Sequence, residues 1–188
     1  MSYFLQDGHF THFLAALVLL SRLGDVGSTW LVTPRLRLES NPIARRLGWP
    51  FAFVTLLLAL IPYYNTSMGM VVLTVSFLVT GRNLSGGWIT RALGEDEIAA
   101  LMRRAVRGST LGAAVGFVLA SATAVALVGA FEVLLSDELE WGYWFGMGLV
   151  LYALVVALHG SLHVRRLFRQ EVAKVAAESR VSVEAATA

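Results

Sequence analysis

Long apolar stretches separated by short polar segments run through the chain. Five of them approach the ~20 mostly apolar residues that a helix needs to cross a membrane. The third is apolar only as far as Gly81 and reaches this length by continuing past Arg82 toward Trp88. The pattern predicts an all-α fold, an integral membrane helical bundle with one membrane domain at 1–169 and a tail at 170–188. The five predicted transmembrane helices cover residues 9–33, 42–64, 67–88, 110–135 and 141–164.

Composition agrees with a protein embedded in a lipid bilayer. Of the 188 residues, 56% are hydrophobic and only 15% are charged, whereas a soluble domain is ~25% charged. The net charge of +2 gives little reason to expect a nucleic-acid partner. The chain has no cysteine, which excludes disulfides, thiolate metal ligands and a cysteine nucleophile. No cofactor is predicted.

The basic residues alternate between the two sides of the predicted spans. Four follow span 1 or begin span 2, five lie at or after the end of span 3, and five follow span 5. The segments before span 1, after span 2 and after span 4 contain none. The positive-inside rule therefore predicts an outer N-terminus and a cytoplasmic C-terminus in the inner (plasma) membrane.

One further segment, residues 95–107, has the pattern of a short amphipathic helix. Three acidic residues begin it after Gly94, and Ile98, Leu101 and Met102 fall near one face. Its arginines are placed to reach lipid phosphates, which predicts a helix on the cytoplasmic surface. A solvated linker helix is the alternative.

Charged and polar residues inside the spans are the candidates for function. Arg22 and Asp25 are three residues apart, so they share a face of span 1 and can neutralise each other. Span 5 places His159 at a similar depth in the cytoplasmic half. We expect polar groups of spans 1, 3 and 5 and of the first loop to converge in a pocket open to the cytoplasm. Its predicted members are Arg22, Asp25, Thr29, Glu39, Asn41, Arg82, Asn83 and His159.

Each of these residues also has a structural interpretation. Arg22 and Asp25 could be an ion pair that serves helix packing, and Glu39 and Asn41 could be helix-capping residues. His159 and His163 have the i, i+4 spacing that can chelate a metal ion from one helix. No glutamate follows the first histidine as in zinc proteases, and two histidines near a basic helix end are more typical of the membrane interface.

Small residues recur every four positions along span 4 and form a stripe whose central members are Gly112, Gly116 and Ala120. Such stripes let helix backbones approach closely in lipid. The stripe predicts either packing of span 4 against span 5 or an interface with a second copy or another membrane protein.

The first third of the chain contains Asp25-x-x-Ser28-Thr29 followed by Glu39-x-Asn41-Pro42. This pattern resembles a motif of small, uncharacterised prokaryotic polytopic membrane proteins. In those proteins the acidic and hydroxyl residues lie in the first span and the second element opens the second span. The resemblance implies that these residues belong to one functional or packing unit, and it implies no particular activity.

Three functional interpretations remain. The first is a non-enzymatic protein that binds or transports a small solute, or is a subunit of a membrane complex. The second is an intramembrane enzyme or metal site that uses Asp25 and His159, because carboxylates in a low dielectric suit acid–base chemistry. The third is a membrane scaffold without a pocket.

Overall fold

The computed structural model describes residues 8–39, 41–138 and 140–187, and 89% of the structure is helical with no strand in those ranges. Residues 1–7, predicted to lie on the outer side, fall outside them. The elements are helices α1 (Gly8–Val32), α2 (Pro42–Leu47) and α3 (Trp49–Val54), a 3-10 helix (Thr55–Leu60), and helices α4 (Ile61–Tyr64), α5 (Thr66–Leu93), α6 (Glu95–Arg107), α7 (Leu111–Leu135) and α8 (Trp141–Thr187).

Four helices are long and apolar enough to cross a membrane: α1, α5, α7 and the part of α8 over Trp141–Ala177. The prediction of an all-α bundle is confirmed, and the four helices fit a membrane protein. Helix α5 continues five residues beyond the predicted residue 88 and ends at Gly94, whose φ of 84° favours glycine.

The predicted helix over residues 42–64 is not continuous. Gly48 has a φ of 70° and separates α2 from α3. Pro50 and Pro62 each lack the N–H that a continuing helix would use. The 3-10 helix Thr55–Leu60 lies between the two prolines, so this segment is apolar but broken into short pieces.

Helix α8 extends well beyond the predicted end of span 5 at residue 164. It continues through most of the segment predicted as a separate tail. No glycine or proline follows Gly160 in the sequence, so nothing in the backbone stops the helix.

Helices α1 and α5 pack side by side and run in the same direction. Gly69 of α5 lies against Leu14, and Gly87 lies against Val32. A methyl group added at Gly87 would be 2.6 Å from the Cγ2 atom of Val32, so this close approach requires glycine. The difference in residue number between the contacting residues is the same at both places, so the two helices are parallel over most of their length.

The last two long helices form an antiparallel hairpin. A Cβ atom added at Gly129 of α7 would lie 2.7 Å from the carbonyl oxygen of Gly146 of α8. Gly148 in turn contacts Thr74 of α5, so α8 packs between α7 and α5.

Helix α6 is attached at both ends. Its first residues bind the loop that follows α1. At its last residue, Arg107, the Nε donates to Oε1 of Glu171 at 2.5 Å. Glu171 is buried although it lies in the extension of α8. The boundaries of α6 match the predicted residues 95–107.

Candidate functional site

The Arg22 guanidinium joins three elements inside the bundle. Its Nη1 donates to Oδ2 of Asp25 at 2.5 Å and lies 3.4 Å from Oγ of Ser76 in α5. Its Nη2 donates to Oγ1 of Thr55 in the 3-10 helix at 2.5 Å. The Arg22 and Asp25 side chains are only 12% and 14% exposed, so the pair is shielded from its surroundings.

A second set of hydrogen bonds lies one to two turns further along α1. Asn83 of α5 donates through Nδ2 to Oγ of Ser28 at 3.2 Å and to Oγ1 of Thr29 at 3.0 Å. Ser28 itself donates to the carbonyl oxygen of Asp25. We call the whole set the polar seam; its members are Arg22, Asp25, Ser28, Thr29, Thr55, Ser76 and Asn83.

The loop after α1 is bound by the first residue of α6. The Glu95 carboxylate accepts hydrogen bonds from the Thr33 hydroxyl and from the backbone N–H groups of Arg35 and Arg37. Burial by itself raises the pKa of Glu95, but these hydrogen bonds and the nearby Arg35 charge outweigh it and hold the pKa below its ordinary value. The neighbouring Asp96 pairs with Arg37 and, at 3.7 Å, with Arg35.

Glu39 and Asn41 act locally as capping residues. Oδ1 of Asn41 accepts from the N–H of Ile43 at 2.9 Å and begins α2. Oε1 of Glu39 accepts from the N–H of Asn41 at 2.7 Å. These contacts correspond to the capping alternative raised by the sequence.

The histidines of α8 do not join the polar seam. His159 forms no hydrogen bond or ion pair with Asp25. One turn further, Nδ1 of His163 is buried and has no hydrogen-bond partner within the described ranges. The charges of Glu39, Arg45 and Arg82 act on the His163 imidazole. We call these four residues the inner charged cluster.

Two predicted pocket members, Glu39 and Arg82, thus lie close enough for their charges to act on His163. Five others, Arg22, Asp25, Thr29, Asn41 and Asn83, lie in the polar seam or at the start of α2. Ser28, Thr55 and Ser76 were not among the predicted pocket members; the signal for Thr55 was a lone hydroxyl in an apolar run. No group of three His, Asp or Glu side chains able to hold a metal ion occurs among the residues described.

No family model, curated protein or solved structure matches this chain. The resemblance through Asp25, Thr29, Glu39, Asn41 and Pro42 therefore stays a prediction.

Replacing Arg22 by leucine is expected to destabilise the protein by about 3–5 kcal/mol, because it leaves the Asp25 carboxylate buried without its counter-ion. The double variant Arg22→Leu/Asp25→Leu is expected to recover most of that loss. Thermal unfolding in detergent micelles measures both. If the single variant melts like the wild type, the buried pair does not stabilise the fold.

Glu95→Gln is expected to lose a small amount of stability at neutral pH, about 0.5–1 kcal/mol, because solvent screens this partly exposed carboxylate. A lowered native pKa stabilises the folded state above the unfolded-state pKa, and this stability is lost as the pH falls through the native pKa. The difference between wild type and variant should therefore shrink on acidification. Glu97→Gln, an exposed neighbour in the same turn, is the control and should show no such pH dependence.

Proposed function

We propose that this chain is a non-enzymatic, five-span subunit of an inner-membrane complex, with an outer N-terminus and a cytoplasmic C-terminus. The proposal is supported by the path of the chain, by the hydrogen bonds that its polar groups form with one another inside the bundle, and by one uncovered face of α7.

The parallel packing of α1 and α5 supports a fifth crossing. The segment that joins them begins near one end of α1, where Nε1 of Trp49 donates to the carbonyl oxygen of Pro34. It ends near the other, where Nδ1 of His12 lies 3.0 Å from the hydroxyl of Tyr63. With 3-10 geometry rising ~2.0 Å per residue and α geometry ~1.5 Å, Trp49–Tyr64 covers roughly 27 Å, close to the ~30 Å of hydrocarbon.

The polar seam supports a packing role for Arg22 and Asp25. In apolar surroundings an unsatisfied polar group is costly, and here both terminal nitrogens of Arg22 meet protein acceptors. Asp25 pairs with Arg22, which reaches two other elements, while Thr29 accepts from Asn83 of α5 and Asn41 caps α2. This arrangement fits the single packing unit that the motif resemblance implies.

The observation that carries the proposal is the uncovered face of α7. A Cβ atom added at Gly112 or Gly116 would meet no atom within 4 Å. Helix α7 packs on α8 instead through Gly129, so the stripe of Gly112, Gly116 and Ala120 is left open. Because small residues let helix backbones approach closely in lipid, we assign this face to a second copy of the chain.

Binding of a small polar solute in the cytoplasmic half is the second candidate function. The observation that favours it is the inner charged cluster, in which the His163 Nδ1 is buried without a partner. The alternative enzyme or metal site built on Asp25 and His159 has no comparable support, because Asp25 is directed at Arg22.

Single cysteines test the interface, and the chain contains no other cysteine. Ala120→Cys is expected to form a disulfide-linked dimer in oxidised membranes, because a disulfide requires Cα atoms within about 7 Å. Ser121→Cys is the control, since it is exposed at the same depth but points away from the stripe. Non-reducing electrophoresis measures the dimer fraction. Equal cross-linking at both positions, or none at Ala120→Cys, contradicts the interface.

Labelling with a membrane-impermeant thiol reagent tests the topology. Tyr64→Cys should react in intact cells, whereas Arg46→Cys and Ser109→Cys should react only after permeabilisation. Arg46 precedes the broken segment Trp49–Tyr64, Tyr64 ends it, and Ser109 lies between α6 and α7. All three positions are exposed in the structure. Reaction of Arg46→Cys and Tyr64→Cys from the same side would show that the segment between them does not cross.

A further inference from the structure

An open groove of about 400 Å³ lies where the ends of α1 and α5 meet the start of α6. Its volume is within the range of about 300–1,000 Å³ typical of small-molecule sites. One part of its wall is apolar, with Leu31 and Leu93, and the other is charged, with Arg35, Arg91 and Asp96. The groove is separate from the polar seam and from the inner charged cluster.

Two exposed tryptophans indicate the depth of this groove in the membrane. Trp30 of α1 and Trp88 of α5 are 59% and 71% exposed and lie within one turn of groove residues. Indole side chains concentrate at the boundary between hydrocarbon and headgroups. The groove therefore lies at headgroup level, on the cytoplasmic side if the proposed topology holds.

The charges around the groove leave one cation uncompensated. The Glu95 carboxylate already accepts three hydrogen bonds from the protein, and Asp96 forms ion pairs with Arg37 and Arg35. Arg91 is exposed, lines the groove and forms no ion pair with any residue the structure describes. A guanidinium offers several donors in one plane, which suits phosphate oxygens.

We propose that this groove binds the headgroup of an anionic phospholipid. The phosphate lies against Arg91, with Arg35 at the rim, and an acyl chain follows the exposed side chains of Leu31 and Leu93. Basic pockets between membrane helices on the cytoplasmic side bind such headgroups. The inference rests on the proposed function only for the side of the membrane on which the groove lies.

Native mass spectrometry of the protein purified in detergent tests the site. The probes are phosphatidylglycerol and phosphatidylcholine, which differ in net charge. Wild type should retain phosphatidylglycerol preferentially, and Arg91→Gln should weaken that retention about tenfold, because hydrogen bonds to charged groups are the strong ones. Arg165→Gln, an exposed arginine of α8 outside the groove, is the matched control and should change it less than about twofold.

Several results would overturn the site. Equal losses in Arg91→Gln and Arg165→Gln would mean that the lipid is held by the general surface charge of the protein, and equal retention of both lipids would exclude recognition of the anion. Displacement of phosphatidylglycerol by excess glycerol phosphate would identify a water-soluble phosphate ester as the ligand instead. Both variants must melt like the wild type. Because the measurement uses detergent micelles, it is independent of the topology and of the α7 interface, so either proposal can fail alone.

Discussion

The guanidinium of Arg22 is the group on which the arrangement of the first three apolar segments depends. A charge within the membrane is costly, so it persists only where other groups meet it. Asp25 supplies the opposite charge from the same helix, while Thr55 and Ser76 supply acceptors from two other elements. Because the donors of a guanidinium have a fixed planar geometry, the bonds of its two terminal nitrogens hold all three elements in one register, while its buried Nε has no partner within the described ranges. The same register brings Asn83 to the hydroxyls of α1.

The alignment of α1 with α5 continues to the end of α1, where the first residue of α6 binds the loop that follows. Glu95 holds the loop after α1 through two backbone N–H groups and one hydroxyl, and α6 then extends to the buried Glu171 of α8. Helix α6 has no buried residue, so these attachments at its two ends determine where it lies. The loop and α6 thereby border the groove where α1 and α5 end.

Features that depend on local sequence could be predicted, and those that depend on packing could not. Apolar length indicated α1, α5 and α7, and Gly94 with three following acids indicated the end of α5 and the start of α6. The prediction of one helix over residues 42–64 uses apolar length alone and takes no account of Gly48, where the helix breaks. Which groups face the histidines of α8 depends on how α8 packs against α5, for example through the contact of Gly148 with Thr74, and no local pattern reveals that packing.

The distribution of polar and small residues distinguishes the two halves of the chain. The first half directs both terminal nitrogens of Arg22 to acceptors within the chain, through side chains of three elements. The second half contributes an apolar hairpin in which α7 touches α8 closely at Gly129 but leaves Gly112 and Gly116 uncovered. Lipid tails already solvate apolar side chains, so hydrophobicity alone does not explain a face of small residues. Close backbone contact with another helix does, and α8 packs between α7 and the groove-lining α5, so the two proposed sites lie on different helices.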